Sequence, residues 1–370
     1  MTEIENDEKA GDNLGRMRIM SEFHFTYYKY KRYWTPLGLN QSITSQDSIA
    51  LPTASGEITY SAKSRKYAVG IDLSQTFGFE SKLKDDEKIL GNQAMFFDTR
   101  VASNDVAIAG AYRINEKVSV GGSFILGRAF LVQTAPIQQL AQLGIVKLSR
   151  LDVKEIGGYG GSFNLHYRPT KKVNFGFNFK TTRKYDLQGT LDSFQPVVTP
   201  QGLQLFPVRL DVRVPFKLPF IVESGVKIQP NDKIFLDFDY RFYNYAKAFD
   251  QLNVLDKTSN TTIANQNIGA KNVHLINFGG AYKLNQNSKI LFGTGMTTNA
   301  LSDASFTPAL NNSGGFSFSG GFAKKVSGVW MNVGVTAIFS LNRTIPANNL
   351  NSFPGDYRAN GFTIGIGFRK

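Results

Sequence analysis

The sequence predicts an all-β fold, a transmembrane antiparallel up-and-down β-barrel of about fourteen strands. Three observations carry that expectation. Side chains alternate with a period of two over many stretches. Tight polar turns alternate along the chain with long connections. No window approaches the ~18 consecutive apolar residues of a membrane helix, whereas a barrel strand needs only about 9–11 alternating ones.

Alternation is clearest in "KIFLDFDYRF", where Ile234, Leu236, Phe238, Tyr240 and Phe242 share one side and Asp237, Asp239 and Arg241 the other. Successive side chains of an extended chain point to opposite faces, so this is a strand with one greasy and one polar face. "FPVRLDVRV" sets Val208, Leu210, Val212 and Val214 against Arg209, Asp211 and Arg213, and "KVNFGFNFK" sets Val173, Phe175, Phe177 and Phe179 against Asn174, Gly176, Asn178 and Lys180. "GYGGSFNLHY" and the closing "GFTIGIGF" repeat the pattern. The expectation is that every greasy face meets lipid and every polar face looks into the barrel.

Strands are expected at about 22–34, 55–62, 67–82, 101–114, 117–130, 154–168, 172–189, 206–228, 233–250, 272–284, 288–300, 314–324, 328–344 and 357–370. Their even number lets the sheet close antiparallel with no edge left in lipid. Short turns fall at 63–66, 113–117, 168–172, 229–233, 284–288 and 324–328, rich in Asn, Asp, Pro and Gly. Longer segments lie between them, at about 35–54, 84–100, 131–153, 190–205, 251–271, 300–313 and 345–356. In an outer-membrane barrel the tight connections are periplasmic and the extended ones external.

Composition narrows the chemistry. The chain has 370 residues with no divided tract of linker, so a single body is expected. It has no cysteine, which excludes a disulfide scaffold and thiolate metal sites and suits an oxidising compartment. Lys+Arg 42 against Asp+Glu 29 gives a net +13, but the basic residues are scattered without a recognition motif, so a basic exterior beside anionic lipid headgroups is expected and nucleic acid is not. His24, His166 and His274 fall on separate strands, and neither a phosphate-binding loop nor a Ser/His/Asp order is present, so no enzyme activity, metal or cofactor is expected. Asp237, Asp239 and Arg241 read as a charge ladder facing the lumen. The opening "MTEIENDEKAGDNLG" lacks a basic n-region followed by an apolar run, so an outer-membrane location requires a natural start further upstream or a trimmed chain.

Several stretches, taken in order, resemble the FadL family of outer-membrane transporters for long-chain fatty acids and other hydrophobic molecules. They are the Gly-Ala-Tyr-Arg hairpin "VAIAGAYRINEKVSVGGSFIL" (106–126), the Leu-Pro kink and aromatic strand of "KLPFIVESGVKIQPNDKIFLDFDYRFYNYAKAFDQ" (217–251), and "VHLINFGGAYKLNQNSKILFGTGMTTNALSDASFTPAL" (273–310). "YAVGIDLSQTFGFES" (67–81) is a weaker match, and the likeness runs over roughly 55–370. The resemblance implies a fourteen-stranded barrel closed by an N-terminal hatch, here expected as a short, truncated segment at 1–20, followed by one barrel over 21–370. It also implies passive uptake of a long-chain fatty acid or other hydrophobe, with outer-membrane lipid, lipopolysaccharide and the barrel-assembly machinery as partners. A general porin or structural barrel, and a soluble β-rich binding protein, are the alternatives.

Candidate ligand-binding residues follow from both readings. Ile137, Leu140 and Leu143 stand at helical spacing in "APIQQLAQLGIVKL", an expected external segment, and Phe194 and Val198 in "FQPVVTPQGLQLF" are placed on the opposite wall of a groove. A buried carboxylate needs a cationic partner, and the resemblance places Arg128 and Lys271 closest to the family's positions for one. Pro215 and Pro219 are suited to disturb a strand.

Overall fold

The computed structural model describes residues 16–61, 66–84, 96–137, 140, 147–307, 313–347 and 353–369. Six strands come first, β1 (Arg16–Pro36), β2 (Ile43–Ser61), β3 (Tyr67–Lys84), β4 (Phe96–Arg113), β5 (Val118–Pro136) and β6 (Leu148–Thr170). Four pairs of collinear strands follow: β7 (Val173–Lys180) with β8 (Arg183–Thr199), β9 (Gly202–Leu218) with β10 (Ile221–Ile228), β11 (Ile234–Tyr243) with β12 (Gln251–Asp256), and β13 (Thr262–Asn267) with β14 (Val273–Asn285). The chain closes with β15 (Ser288–Thr297), β16 (Gly315–Val326), β17 (Val329–Ser340) with β18 (Arg343–Ile345), and β19 (Gly355–Arg369). A one-turn helix, α1 (Tyr245–Ala248), lies in the break between β11 and β12.

Nine single strands and five broken ones make fourteen staves. Each is antiparallel to its neighbours in chain order, and β1 pairs with β2 on one side and β19 on the other, so the ladder returns to its starting strand. Closure of this kind pairs the backbone groups that lipid could not satisfy. The first strand starts at Arg16, upstream of the expected residue 22. The tight turns at 113–117, 168–172, 229–233, 284–288 and 324–328 sit where expected, while the one at 63–66 falls mostly outside the described residues. Asn115 accepts from the Lys117 and Val118 amides at 2.8 and 2.9 Å, and Asn231 from the Lys233 and Ile234 amides at 2.9 and 3.0 Å. Ser327 and Gly328 both take positive φ, 50° and 84°, as a two-residue turn between right-twisted strands requires.

The other end of the barrel differs from expectation. Much of what reads as loop continues as paired strand: β2 covers 43–54, β8 and β9 pair out to Thr199 and Gly202, and β12 pairs with β13. β6 is 23 residues long, about twice what crosses a bilayer. Strand neighbours supply hydrogen bonds to these extensions whatever solvent surrounds them, so the ladder does not stop at the membrane surface.

The greasy-side-out rule also holds for only part of each strand. Near the tight turns the exposed side chains are apolar, among them Val69 and Ile71 on β3, Ile108 on β4, Phe124 on β5, Phe163 on β6, Phe175 on β7, Phe292 on β15 and Val335 on β17. Further up the sense inverts. Leu151 and Val153 on β6, Leu187 on β8, and Val212, Val214 and Phe216 on β9 are buried inside, whereas Arg150, Asp152, Lys154, Asp211 and Lys217 are exposed. The expectation that Val208, Leu210, Val212 and Val214 face lipid is thus overturned, because above the bilayer water is outside and the apolar side must turn inward.

Candidate functional site

Inversion of polarity builds an apolar chamber in the external half of the barrel. One cluster joins Ala129 and Leu131 of β5, Leu151 and Val153 of β6, Tyr185 and Leu187 of β8, the β9 row from Val212 to Leu218, and Leu252 and Val254 of β12. A second joins Trp34, Ile43, Phe97, Ile345 and Tyr357 to Leu301 and Phe306. Ile268 packs against both. Leu301 and Phe306 of the second cluster come from chain that folds inward after β15. Phe306 is fully buried, edge-on to Tyr357 at 4.8 Å, with the Arg343 guanidinium 4.4 Å above its ring. Arg343 also pairs with Asp303 and donates to the Leu301 carbonyl at 3.0 Å, so one side chain clamps three residues of the inserted segment.

Below the chamber the wall is interrupted. β6 pairs with β7 over Ser162–Thr170 and with β8 over Arg150–Lys154, which leaves 155–161 without ladder partners on that side. Opposite stand Thr181, which exchanges two 2.9 Å hydrogen bonds with Gly161, and Asp186, whose amide donates to the Glu155 carboxylate. Two side chains fill the space. Tyr185 lies across Gly127 and Gly158, where an added methyl would overlap its ring or hydroxyl, and Arg183 lies against Gly160. Arg183 forms an ion pair with Asp105 of β4, with both side chains almost wholly buried, and Ser103 donates to Asp105 at 3.1 Å. On the outside, Ile156 and Tyr159 are exposed at about the level where the outer apolar band gives way to Lys154 and Asp152.

The membrane-embedded lumen is polar, as the sequence indicates. Arg241 pairs with Glu223 on the next strand, Asn178 donates to the other Glu223 oxygen at 2.6 Å, and Arg241 donates to the Tyr243 hydroxyl at 3.1 Å. Asp237 and Asp239 follow on the same face, opposite Lys227 and Gly225.

At the external rim a groove of about 420 Å³ lies over β6, β8 and β9, lined by Leu148, Arg150, Asp192, Phe194, Pro207 and Arg209 among others. The Lys147 ammonium sits 5.2 Å from the Phe194 ring centre. Arg209 makes a bidentate contact with Asp192 at 2.6 and 2.8 Å, and this hydrogen bonding holds the Asp192 carboxyl below its ordinary value.

The sequence-predicted residues are distributed unevenly about these features. Phe194 lines the groove, and Val198, on the same face nearer the hairpin tip, is 84% exposed. Ile137 is half-buried and donates its amide to the Lys147 carbonyl at 2.8 Å, Leu140 is buried, and Leu143 lies outside the described residues. Arg128 stands opposite a bulge at Gly157 of β6 with its side chain exposed, while its neighbour Ala129 is inside, so it faces away from the chamber. Lys271 is also exposed, and its amide donates to the Ala300 carbonyl at 2.8 Å. The Leu-Pro kink falls in the break between β9 and β10, while Pro215 stays paired opposite Asp186. Sequence reasoning missed Lys147, Arg183, Tyr185 and Asp105; the glycines at 127, 157, 158, 160 and 161 were the available signal, because bare backbone on adjacent strands leaves room for large side chains.

Residues 5–370 match the family described as outer membrane protein transport protein (OMPP1/FadL/TodX). The chain belongs to that family. Its members are outer-membrane β-barrels that transport hydrophobic compounds, rather than enzymes. Among solved structures it is similar to a Pseudomonas aeruginosa FadL homologue, at TM-score 0.76 and 12% identity over 95% of this chain and 90% of that one. The P. putida toluene transporter TodX follows at TM-score 0.67, 14% identity, 97% and 90%, and the Ralstonia pickettii toluene transporter TbuX at 0.66, 16%, 95% and 89%. No curated protein sequence matches. At these identities the structural likeness speaks for the fold alone.

Proposed function

We propose that this FadL/TodX-family member takes up a long-chain fatty acid or a hydrophobe of similar character by passive diffusion. The observation that carries the reading is the inverted external half, an apolar interior standing above a polar lumen within one closed sheet. A hydrophobe leaving water gains about 25 cal/mol per Å² of apolar area it buries, so it partitions down this route without nucleotide or gradient. Capture begins at the groove beside Phe194, where Lys147 offers charge to a carboxylate head and Leu148 and Pro207 meet the acyl chain. Val198 and Ile137 extend the apolar approach, and Arg128 and Lys271 serve as headgroup or rim contacts. The chamber side chains then replace the groove, and lipid and lipopolysaccharide surround the outer band.

Uptake of a fluorescent long-chain fatty acid by cells lacking their own transporter tests this reading. Expression of the chain is expected to restore uptake, Val214→Asp to abolish it, and Phe194→Asp to reduce it about 5- to 10-fold by removing capture. Full uptake by Val214→Asp would end the proposal. An open porin predicts ion conductance instead, and the tightly packed external chamber argues against one.

A further inference from the structure

The outer surface of β1 and β19 changes character at one height. Arg32 and Trp34 on β1, and Tyr357 and Ala359 on β19, are buried inside, so alternation turns Lys29, Lys31, Tyr33 and Arg358 outward. Toward the tight turns the outward side chains are apolar: Phe362, Ile364 and Ile366 are exposed on β19, and the Tyr27 ring lies 6.4 Å from that of Phe362. Immediately above, three cations gather. Lys29 pairs with Phe362 in the ladder, Lys31 with Asn360, and Tyr33 with Arg358. The Tyr33 ring holds two of the cations together, with the Lys31 ammonium 5.1 Å and the Arg358 guanidinium 4.3 Å from its centre. None of the residues paired with Lys29, Lys31 or Tyr33 on β2 or β19 is Asp or Glu. Asp356, the next outward residue on β19, lies one row further out and accepts from the Thr344 hydroxyl at 2.5 Å.

The height of the cluster selects its partner. The end of the barrel with the long connections faces outside, so the boundary above Tyr27 and Phe362 is that of the external leaflet. Phosphate is the anion that a lipid headgroup offers at that level, with its acyl chains against the apolar band below. A soluble anion asks only for cations. A phosphorylated lipid asks for cations set directly on an apolar wall, and that is the arrangement on β1 and β19. Lys29 and Lys31, two residues apart on one face, stand about 6.6 Å from each other along the strand, and Arg358 beside them offers a planar fork to phosphate oxygens. We infer that Lys29, Lys31 and Arg358 bind the phosphate of an outer-leaflet glycolipid, with Tyr27, Phe362 and the exposed Phe339, which pairs beside Asn360, against its acyl chains. The site lies on the outside wall and is independent of uptake through the chamber.

The test immobilises the full chain in dodecyl maltoside and measures retention of radiolabelled bisphosphorylated lipid A against the same lipid stripped of both phosphates. The phosphorylated lipid is expected to bind about ten-fold or more tightly. In K29Q/K31Q/R358Q it should fall to the level of the stripped lipid, whereas K29R/K31R/R358K keeps the preference. K117Q/K171Q/K233Q, which removes three exposed cations at the tight-turn end, should keep it too. Heat-dependent gel mobility establishes that each variant is folded. Raising salt from about 0.05 M to about 0.5 M should weaken the preference in the wild type, independently of any variant. Inorganic phosphate at about 10 mM and matched ionic strength should leave retention unchanged. Equal retention of the two lipids at low salt, a preference that survives K29Q/K31Q/R358Q, or an equal loss in K117Q/K171Q/K233Q overturns the site. Displacement by inorganic phosphate assigns the cluster to a free anion and overturns the lipid as its partner.

Discussion

Single residues decide how the interrupted wall is sealed. Gly158 has no Cβ because the Tyr185 ring occupies that space. Gly158→Ala is expected to cost about 1–3 kcal/mol through overpacking, and most of that loss should disappear in a Tyr185→Ala background. Urea unfolding followed by gel mobility of the folded barrel measures both. Asp105→Ala takes away the carboxylate that pairs with Arg183 inside the protein, at a cost of about 3 kcal/mol or more, whereas Asp152→Ala beside exposed Arg150 should cost under about 1 kcal/mol. Asp192 is an exposed case with a definite pH sign. Its carboxyl is held below its usual 3.8 by Arg209, so the contribution of the pair is present above that value and is lost only as pH falls through the lower folded value. Capture at the groove should therefore be flat between about pH 7 and pH 5, a window above the ordinary carboxylate range.

At the scale of the strand, one sequence signal takes two opposite meanings. "KVNFGFNFK" and "FPVRLDVRV" show the same alternation, yet the first puts Phe175 and Phe177 on the outside and the second puts Val212 and Val214 inside. Period two reports two faces and nothing about which solvent each meets. Height along the barrel supplies the missing fact, and height depends on where neighbouring strands are paired. Phe177→Arg is expected to destabilise the folded barrel by about 2–4 kcal/mol by placing charge in lipid. Asp211→Arg, on the outward face above the band, should be nearly neutral in the same unfolding assay. The tight turns were legible residue by residue, because Asn115, Asn231 and the Ser327–Gly328 pair act through their own backbone. The long connections were not, since only their partner strands show that they are ladder.

Taken whole, the molecule is a channel whose external half is filled by its own side chains. The segment carrying Leu301 and Phe306 closes part of that half, and Arg343 clamps it through Asp303 and the Phe306 ring. Planar-bilayer recording should therefore show little ion conductance for the wild type, and Arg343→Ala together with Phe306→Ala should raise the frequency of open events. A large steady conductance in the wild type would contradict the packed chamber.

The sequence by itself determined the fold class, the number of staves and the tight turns among the described residues, together with the polar lumen around Arg241. These depend on period, turn chemistry and local composition, which a chain expresses over a few residues. Only the tertiary structure decided which face looks inward at each height, that Tyr185 and Arg183 fill the break beside β6, and that Arg128 points away from the chamber. Each of those brings together residues distant in sequence, and closure of the sheet sets their register.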